Sequence, residues 1–82
     1  MEKSSLAIAL EKIPKGRFGI LERIDDGEVN FGVIGNFSTY EEAEITAIQK
    51  ASEPGEEGDC PEISFYVADN EPRIRYIGSV RR

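Results

Sequence analysis

GNFSTYEEAEITAIQKA, residues 35–51, runs out of an extended segment, through a helix start signal, into an amphipathic helix. Ser38 and Thr39 are each followed three residues later by a glutamate, Glu41 or Glu42, so two overlapping S/T-x-x-E registers mark one N-terminus. Glu41, Glu42 and Glu44 fall in the first turns, where the helix macrodipole favours negative charge, and Lys50 lies near its negative end. That structural role accounts for most of the acidity of the stretch. At about 100° per residue, Tyr40, Ala43, Ala47 and Ala51 share one stripe, with Ile48 on its flank and Ile45 further round. Small side chains in a stripe let a helix lie close against a sheet.

Upstream, residues 28–37 alternate Val29, Phe31, Val33 and Phe37 against Asn30, Gly32, Ile34 and Asn36, the pattern of a strand. Asp25-Asp26-Gly27 supplies turn residues ahead of it, and residues 17–24 set Phe18, Ile20 and Ile24 against Arg17, Gly19 and Arg23. A β-hairpin is expected. Residues 5–13, SLAIALEKI, place Leu6, Ala9, Leu10 and Ile13 at helical spacing behind Ser4 or Ser5 as cap, with Pro14 ending the segment. Leu6, Ile8 and Leu10 also alternate as a strand would, but the Ala, Leu, Glu and Lys content favours helix.

Downstream, residues 52–61, SEPGEEGDCP, combine two prolines, two glycines and four carboxylates and are expected to form a solvated, mobile acidic loop. Residues 62–69 then set Ile63, Phe65 and Val67 against Ser64, Tyr66 and Ala68. Asp69-Asn70-Glu71-Pro72 turns the chain, and residues 73–80 return with Ile74, Tyr76 and Val80 opposite Arg73, Arg75 and Ile77. Arg81 and Arg82 are expected to trail off as a basic tail. The order α-β-β-α-β-β predicts a single α+β domain: a four-stranded, mostly antiparallel sheet with the central helix packed on one face.

The chain has 82 residues, enough for one domain with a modest core, and contains no tryptophan. No run approaches the ~18 apolar residues of a membrane span, and no signal-peptide pattern opens the chain, so a cytoplasmic protein is expected. Cys60 is the one cysteine and has no partner for an internal disulfide. Without histidine or a nearby lysine to lower its pKa, that thiol reads as inert. The absence of histidine removes Ser-His and Cys-His catalysis and the usual zinc ligand sets. Gly32-Val33-Ile34-Gly35 lacks the lysine and the glycine spacing of a phosphate loop, and the acidic loop lacks the ligand order of a calcium loop. No cofactor, no metal and no catalysis are expected.

Charge is laid out in blocks. Residues 1–20 carry four basic and two acidic side chains, residues 21–72 two basic and fourteen acidic, and residues 73–82 four basic and none acidic, for a net charge of -6. Such polarity bears on steering and partner choice. The expected function is therefore a small acidic protein-binding or regulatory domain. Two candidate surfaces follow: Glu53, Glu56, Glu57 and Asp59 in the acidic loop, and Tyr66 with Arg75 on an outward sheet face that also bears Asn30, Ile34 and Ile77. The acidic loop fits an inhibitor that offers carboxylates in place of phosphates to the basic groove of a nucleic-acid-processing complex, in the manner of small phage-encoded inhibitors of host defence systems. The alternative is direct nucleic-acid binding through Lys12, Lys15, Arg17, Arg73, Arg75, Arg81 and Arg82 with Tyr76 interleaved. Against it stand the sequence pI near 4.6 and the alternation that puts Tyr76 with Ile74 and Val80 in the core. An open edge strand would also allow a homodimer.

Overall fold

The computed structural model describes residues 4–53 and 61–81. In chain order these form α1 (Ser5–Glu11), β1 (Phe18–Asp25), β2 (Val29–Phe37), α2 (Tyr40–Ser52), β3 (Glu62–Asp69) and β4 (Ile74–Arg81). The four strands make one antiparallel sheet in the order β2-β1-β3-β4, with β2 and β4 at its edges. No helix of the described residues is long and apolar enough to cross a membrane.

Local signals start both helices. The Ser4 hydroxyl accepts from the Ala7 N–H at 3.2 Å, and the Thr39 hydroxyl accepts from the Glu42 N–H at 3.2 Å. Of the two overlapping start registers, the chain uses Thr39; Ser38 turns its hydroxyl towards the Glu42 carboxylate at 3.5 Å. The first helix stops at Glu11, short of the expected residue 13, because Lys12 and Ile13 close tighter turns onto Ala9 and Leu10. That tightening drops Ile13 into the sheet, where it is 1% exposed and presses on β1. Gly19 makes this approach possible: a Cβ there would stand 3.0 Å from the Ile13 side chain and 3.2 Å from Val33.

Both faces of the sheet carry a core. On one face Ala43 and Ala47 of α2 lie over Ile20, Phe65 and Val67, with Phe18, Ile34, Phe37, Tyr40, Ile77 and Val80 around them. On the other, Ala9 of α1 and the following Ile13 cover Leu21 and Ala68, flanked by Phe31, Val33 and Tyr66. Ile20 and Leu21 are adjacent in sequence and both fully buried, which a strand achieves only when each face is covered. Burial of that kind stabilises by about 1.5–3 kcal/mol for each large apolar side chain.

Two irregularities reassign side chains that strict alternation had placed. Between the pairs Phe18↔Phe37 and Ile20↔Ile34 the β1–β2 register shifts, so Ile34 and Phe37 both join the α2 face instead of lying on opposite faces. Between Phe65↔Gly78 and Tyr66↔Tyr76 the β3–β4 register shifts at Ile77, so Ile77 joins Val80 under α2 while Tyr76 pairs with Tyr66 on the other face. The expected outward set is corrected accordingly. Ile34 and Ile77 are core residues, and Tyr76, 56% exposed, is not. Arg81 is the last residue of β4, paired with Glu62, and does not trail free.

The antiparallel arrangement also sorts charge in space. The turn after β1, with Asp25, Asp26 and Glu28, and the start of β3, with Glu62, lie at one end of the sheet, where Asp25 and Glu62 are register partners. The turn between β3 and β4 and the segment before β1 meet at the other end, where Lys15, Arg17 and Arg73 border one hollow together with Asp69 and Glu71.

Candidate functional site

The turn between β3 and β4 is built by one carboxylate. Asp69 Oδ1 accepts from the N–H groups of Glu71 at 3.0 Å and Arg73 at 2.7 Å, while Oδ2 accepts from Arg73 Nε at 2.8 Å. The Asp69 N–H donates to the Arg73 carbonyl at 3.2 Å, closing the loop. An Asp does this because its short side chain reaches backbone donors two and four residues on. Burial pushes the Asp69 carboxyl up, but the two backbone N–H groups and the Arg73 guanidinium together outweigh it and hold the group below its ordinary value of 3.8. Asn70 then ties the turn to the first helix's exit by donating from Nδ2 to the Ile13 carbonyl at 3.1 Å.

A fixed turn sets the start of β4 beside the first turn of α2. Between them opens a groove of about 390 Å³, lined by Phe18, Tyr40, Val67, Asp69, Arg73, Ile74 and Arg75. Phe18 and Tyr40 meet edge to face, centroids 5.9 Å apart at 85°, and the Arg75 guanidinium stands over the Tyr40 ring at 5.9 Å. The two arginines differ in their partners. Arg73 is engaged by Asp69 at 2.8 Å and Glu71 at 3.3 Å, whereas Arg75 has no carboxylate within salt-bridge distance among the described residues. The Tyr40 hydroxyl is buried and has no hydrogen-bond partner, the one such side-chain atom among the described residues.

The opposite face offers a second surface. The α1 helix lies chiefly over β2, and Ala9 and Ile13 reach as far as Ala68 of β3, so among the described residues the β4 side of that face is the part least covered by a helix. There Tyr66 and Tyr76 pack edge to face at 5.4 Å and 65°, and the Tyr76 hydroxyl donates to Ser79 Oγ at 3.1 Å. Ile74, 44% exposed, stands opposite Ala68 in the same register at the strand's start. Arg23, opposite Ser64, and Arg81, opposite Glu62, share this face.

The structure thus separates the residues singled out from sequence. Tyr66 packs with the α1 cluster and Arg75 stands over Tyr40 beside α2, so the two lie on opposite faces and do not form one patch. The physical reason is that each strand alternates: Arg75 pairs with Val67 and Tyr76 with Tyr66. Glu53 is exposed at the C-cap of α2; Glu56, Glu57, Asp59 and Cys60 lie outside the described residues. Among the basic residues, Arg17 Nε donates to Asn36 Oδ1 at 2.6 Å. Among the described residues no cluster of carboxylate or cysteine side chains is placed to hold a metal ion.

Sequence reasoning missed the Phe18–Tyr40–Arg75 groove, whose parts come from three elements. Its one local signal was Tyr40, an aromatic residue at the first position of a helix whose packing stripe is otherwise alanine. Compared with family models, with curated proteins and with solved structures, the chain matches none.

Proposed function

We propose that this chain is a non-catalytic binding domain that works by protein contact, with the β4 side of the sheet, on the face that carries Tyr66 and Tyr76, as its docking face. The observation that carries this reading is the pair Tyr66 and Tyr76, held edge to face on a surface that also bears Ile74, Arg23 and Arg81. Aromatic and arginine side chains on a rigid sheet are the composition of interface centres, where they contribute contact area at little entropic cost. Tyr76 is the member to test, because it is exposed and its removal leaves both cores intact. Tyr76→Ala is expected to abolish capture of the partner from lysate by the tagged protein while leaving the thermal transition within a few degrees of wild type. Undiminished capture by that variant rules out this face.

A finer form of the reading assigns first contact to carboxylates: Glu53, Glu56, Glu57 and Asp59, offered to the basic groove of a nucleic-acid-processing complex. Its support is the acidic block of the sequence and the gathering of Asp25, Asp26, Glu28 and Glu62 at one end of the sheet.

Direct nucleic-acid binding gains one observation. Tyr76 is exposed, where alternation had put it in the core, and exposed tyrosines on a sheet stack single-stranded bases. Of the arginines, Arg23 and Arg81 share its face, but Arg23 contacts Asp25 and Arg81 stands opposite Glu62, while Arg75 lies on the other face and Arg73 is bound by two carboxylates. A flat fluorescence-anisotropy titration with short RNA and DNA at low salt dismisses this second reading; a saturable rise that Tyr76→Ala removes installs it.

A further inference from the structure

The groove between α2 and the start of β4 opens on the α2 face, opposite the Tyr66–Tyr76 pair, and shares only Ile74 with the proposed docking surface. Three of its properties call for a ligand as far as the described residues go. The first is shape: at about 390 Å³ it falls at the small end of ligand clefts, which run from about 300 to 1,000 Å³. Its walls are Phe18, Tyr40 and Val67, with Ile74 at the rim. The second is charge. Arg73 is spoken for by Asp69 and Glu71, but Arg75 has the Tyr40 ring as its packed partner and, among the described residues, no carboxylate within salt-bridge distance. A guanidinium over a ring face is held by a weak attraction and keeps its in-plane N–H donors free for a planar anion. The third is the Tyr40 hydroxyl, buried and without a partner, a state that proteins avoid elsewhere because an unmade hydrogen bond is costly.

The geometry points to a binding site for a small apolar carboxylate, its carboxyl group on Arg75 and its hydrocarbon or aryl body against Phe18, Val67 and Ile74. Arg75 is exposed and stands over the ring of half-buried Tyr40, whose hydroxyl is buried; in this proposal the carboxylate draws the arginine off the ring and offers that hydroxyl an acceptor. A cation and a phenol then converge on one anion at the edge of an apolar hollow. A phosphate or a nucleotide fits less well, since Asp69 lines the same groove and Arg73 is already neutralised.

The same carboxylate can come from a free acid or from the C-terminus of a peptide, and the test distinguishes them. The full chain, labelled with nitrogen-15, is titrated with sodium phenylacetate, with phenylacetamide as its neutral counterpart, and with N-acetyl-alanyl-phenylalanine bearing a free or an amidated C-terminus. Saturable amide shifts are expected at Phe18, Tyr40, Val67 and residues 73–75, with both neutral amides weaker by about tenfold or more, the value of one charge-assisted hydrogen bond. Arg75→Gln is expected to remove the response. Tyr40→Phe keeps the ring, is expected to weaken binding about threefold to tenfold, and is expected to raise the melting temperature by deleting the orphan hydroxyl. Binding of phenylacetate with exclusion of the peptide identifies a free acid as the ligand; equal or tighter binding of the peptide identifies a chain terminus. Equal shifts from acid and amide, no saturable shifts from either acid, or an unaltered titration in Arg75→Gln overturns the assignment. Tyr76→Ala, on the other face, is expected to leave the titration unchanged, so this site and the docking face fail or stand separately.

Discussion

Asp69 shows how one side chain carries a whole corner of the molecule. It is 6% exposed, receives two backbone N–H groups and one guanidinium, and fixes the turn from which Arg73, Ile74 and Arg75 project. Hydrogen bonds to a charged acceptor are worth about 1.5–3 kcal/mol each, so Asp69→Ala is expected to lower unfolding stability by at least about 2–3 kcal/mol, read from a urea titration. The same bonds make stability depend on acid. The folded-state pKa of Asp69 lies below its ordinary 3.8, so its contribution is present in full above about pH 4 and is lost as pH falls through the folded value. Wild type is therefore expected to lose stability more steeply than Asp69→Ala as pH falls below about 4, and parallel acid-unfolding curves for the two proteins would show that the buried carboxylate does not carry the corner. This turn was legible in the sequence, because Asp-Asn-Glu-Pro encodes a turn by local chemistry. The arginine's destination was not. Whether Arg75 meets Tyr66 or Tyr40 depends on which face its strand register presents, and that is decided by β3.

Among the elements, the helices were readable and the strand faces were only partly so. Caps and stripes are local: Thr39 and Glu42 lie three residues apart, and Ala43 and Ala47 four apart. Strand faces depend on an unbroken period of two, and β2 and β4 each break it once. The break in β4 was invisible in its own residues but consistent with the helix above. A Cβ on Gly78 would stand 3.0 Å from the Ala51 Cβ, so the last turns of α2 rest directly on the bulged segment. Both atoms are fixed to backbone, so neither can rotate away. Gly78→Ala is expected to push the helix end outward and to cost about 1–3 kcal/mol, the range for overpacking a tight contact. Gly78→Ala combined with Ala51→Gly is expected to recover part of that loss despite the glycine's own helix cost of about 1 kcal/mol. Thermal melts of the single and double variants measure it, and a double variant no better than the sum of its parts would place the strain elsewhere. The adjacent pair Ile20 and Leu21 was the one signal in sequence that both faces of the sheet are covered.

For the whole molecule, folding turns a sequence of charge blocks into a body with two unlike ends. Each hairpin returns its strand, so the acidic turn at Asp25, Asp26 and Glu28 comes beside Glu62, with the exposed Glu53 ending α2. Arg23, through a 3.7 Å contact with Asp25, and Arg81, opposite Glu62, offset this end in part. Such an end gives a directed field that steers a basic partner at low salt and is screened within about 10 Å at 0.1 M and about 3 Å at 1 M. Steering acts on the association rate, whereas a packed tyrosine acts on dissociation. The two forms of the proposed function therefore separate by kinetics. Asp25 and Asp26 accept turn hydrogen bonds from the N–H groups of Gly27 and Glu28, which an asparagine oxygen also accepts, so Asp25→Asn with Asp26→Asn, Glu28→Gln and Glu62→Gln removes four charges while keeping the turn. If carboxylates lead the encounter, this variant is expected to slow association with the captured partner about tenfold or more at low salt, with a flattened salt dependence and an unchanged dissociation rate. Tyr76→Ala is expected to do the reverse, speeding dissociation with little change in association. A charge-depleted variant that associates as fast as wild type at low salt removes the phosphate-imitating form of the proposal and leaves the tyrosine face to stand by itself.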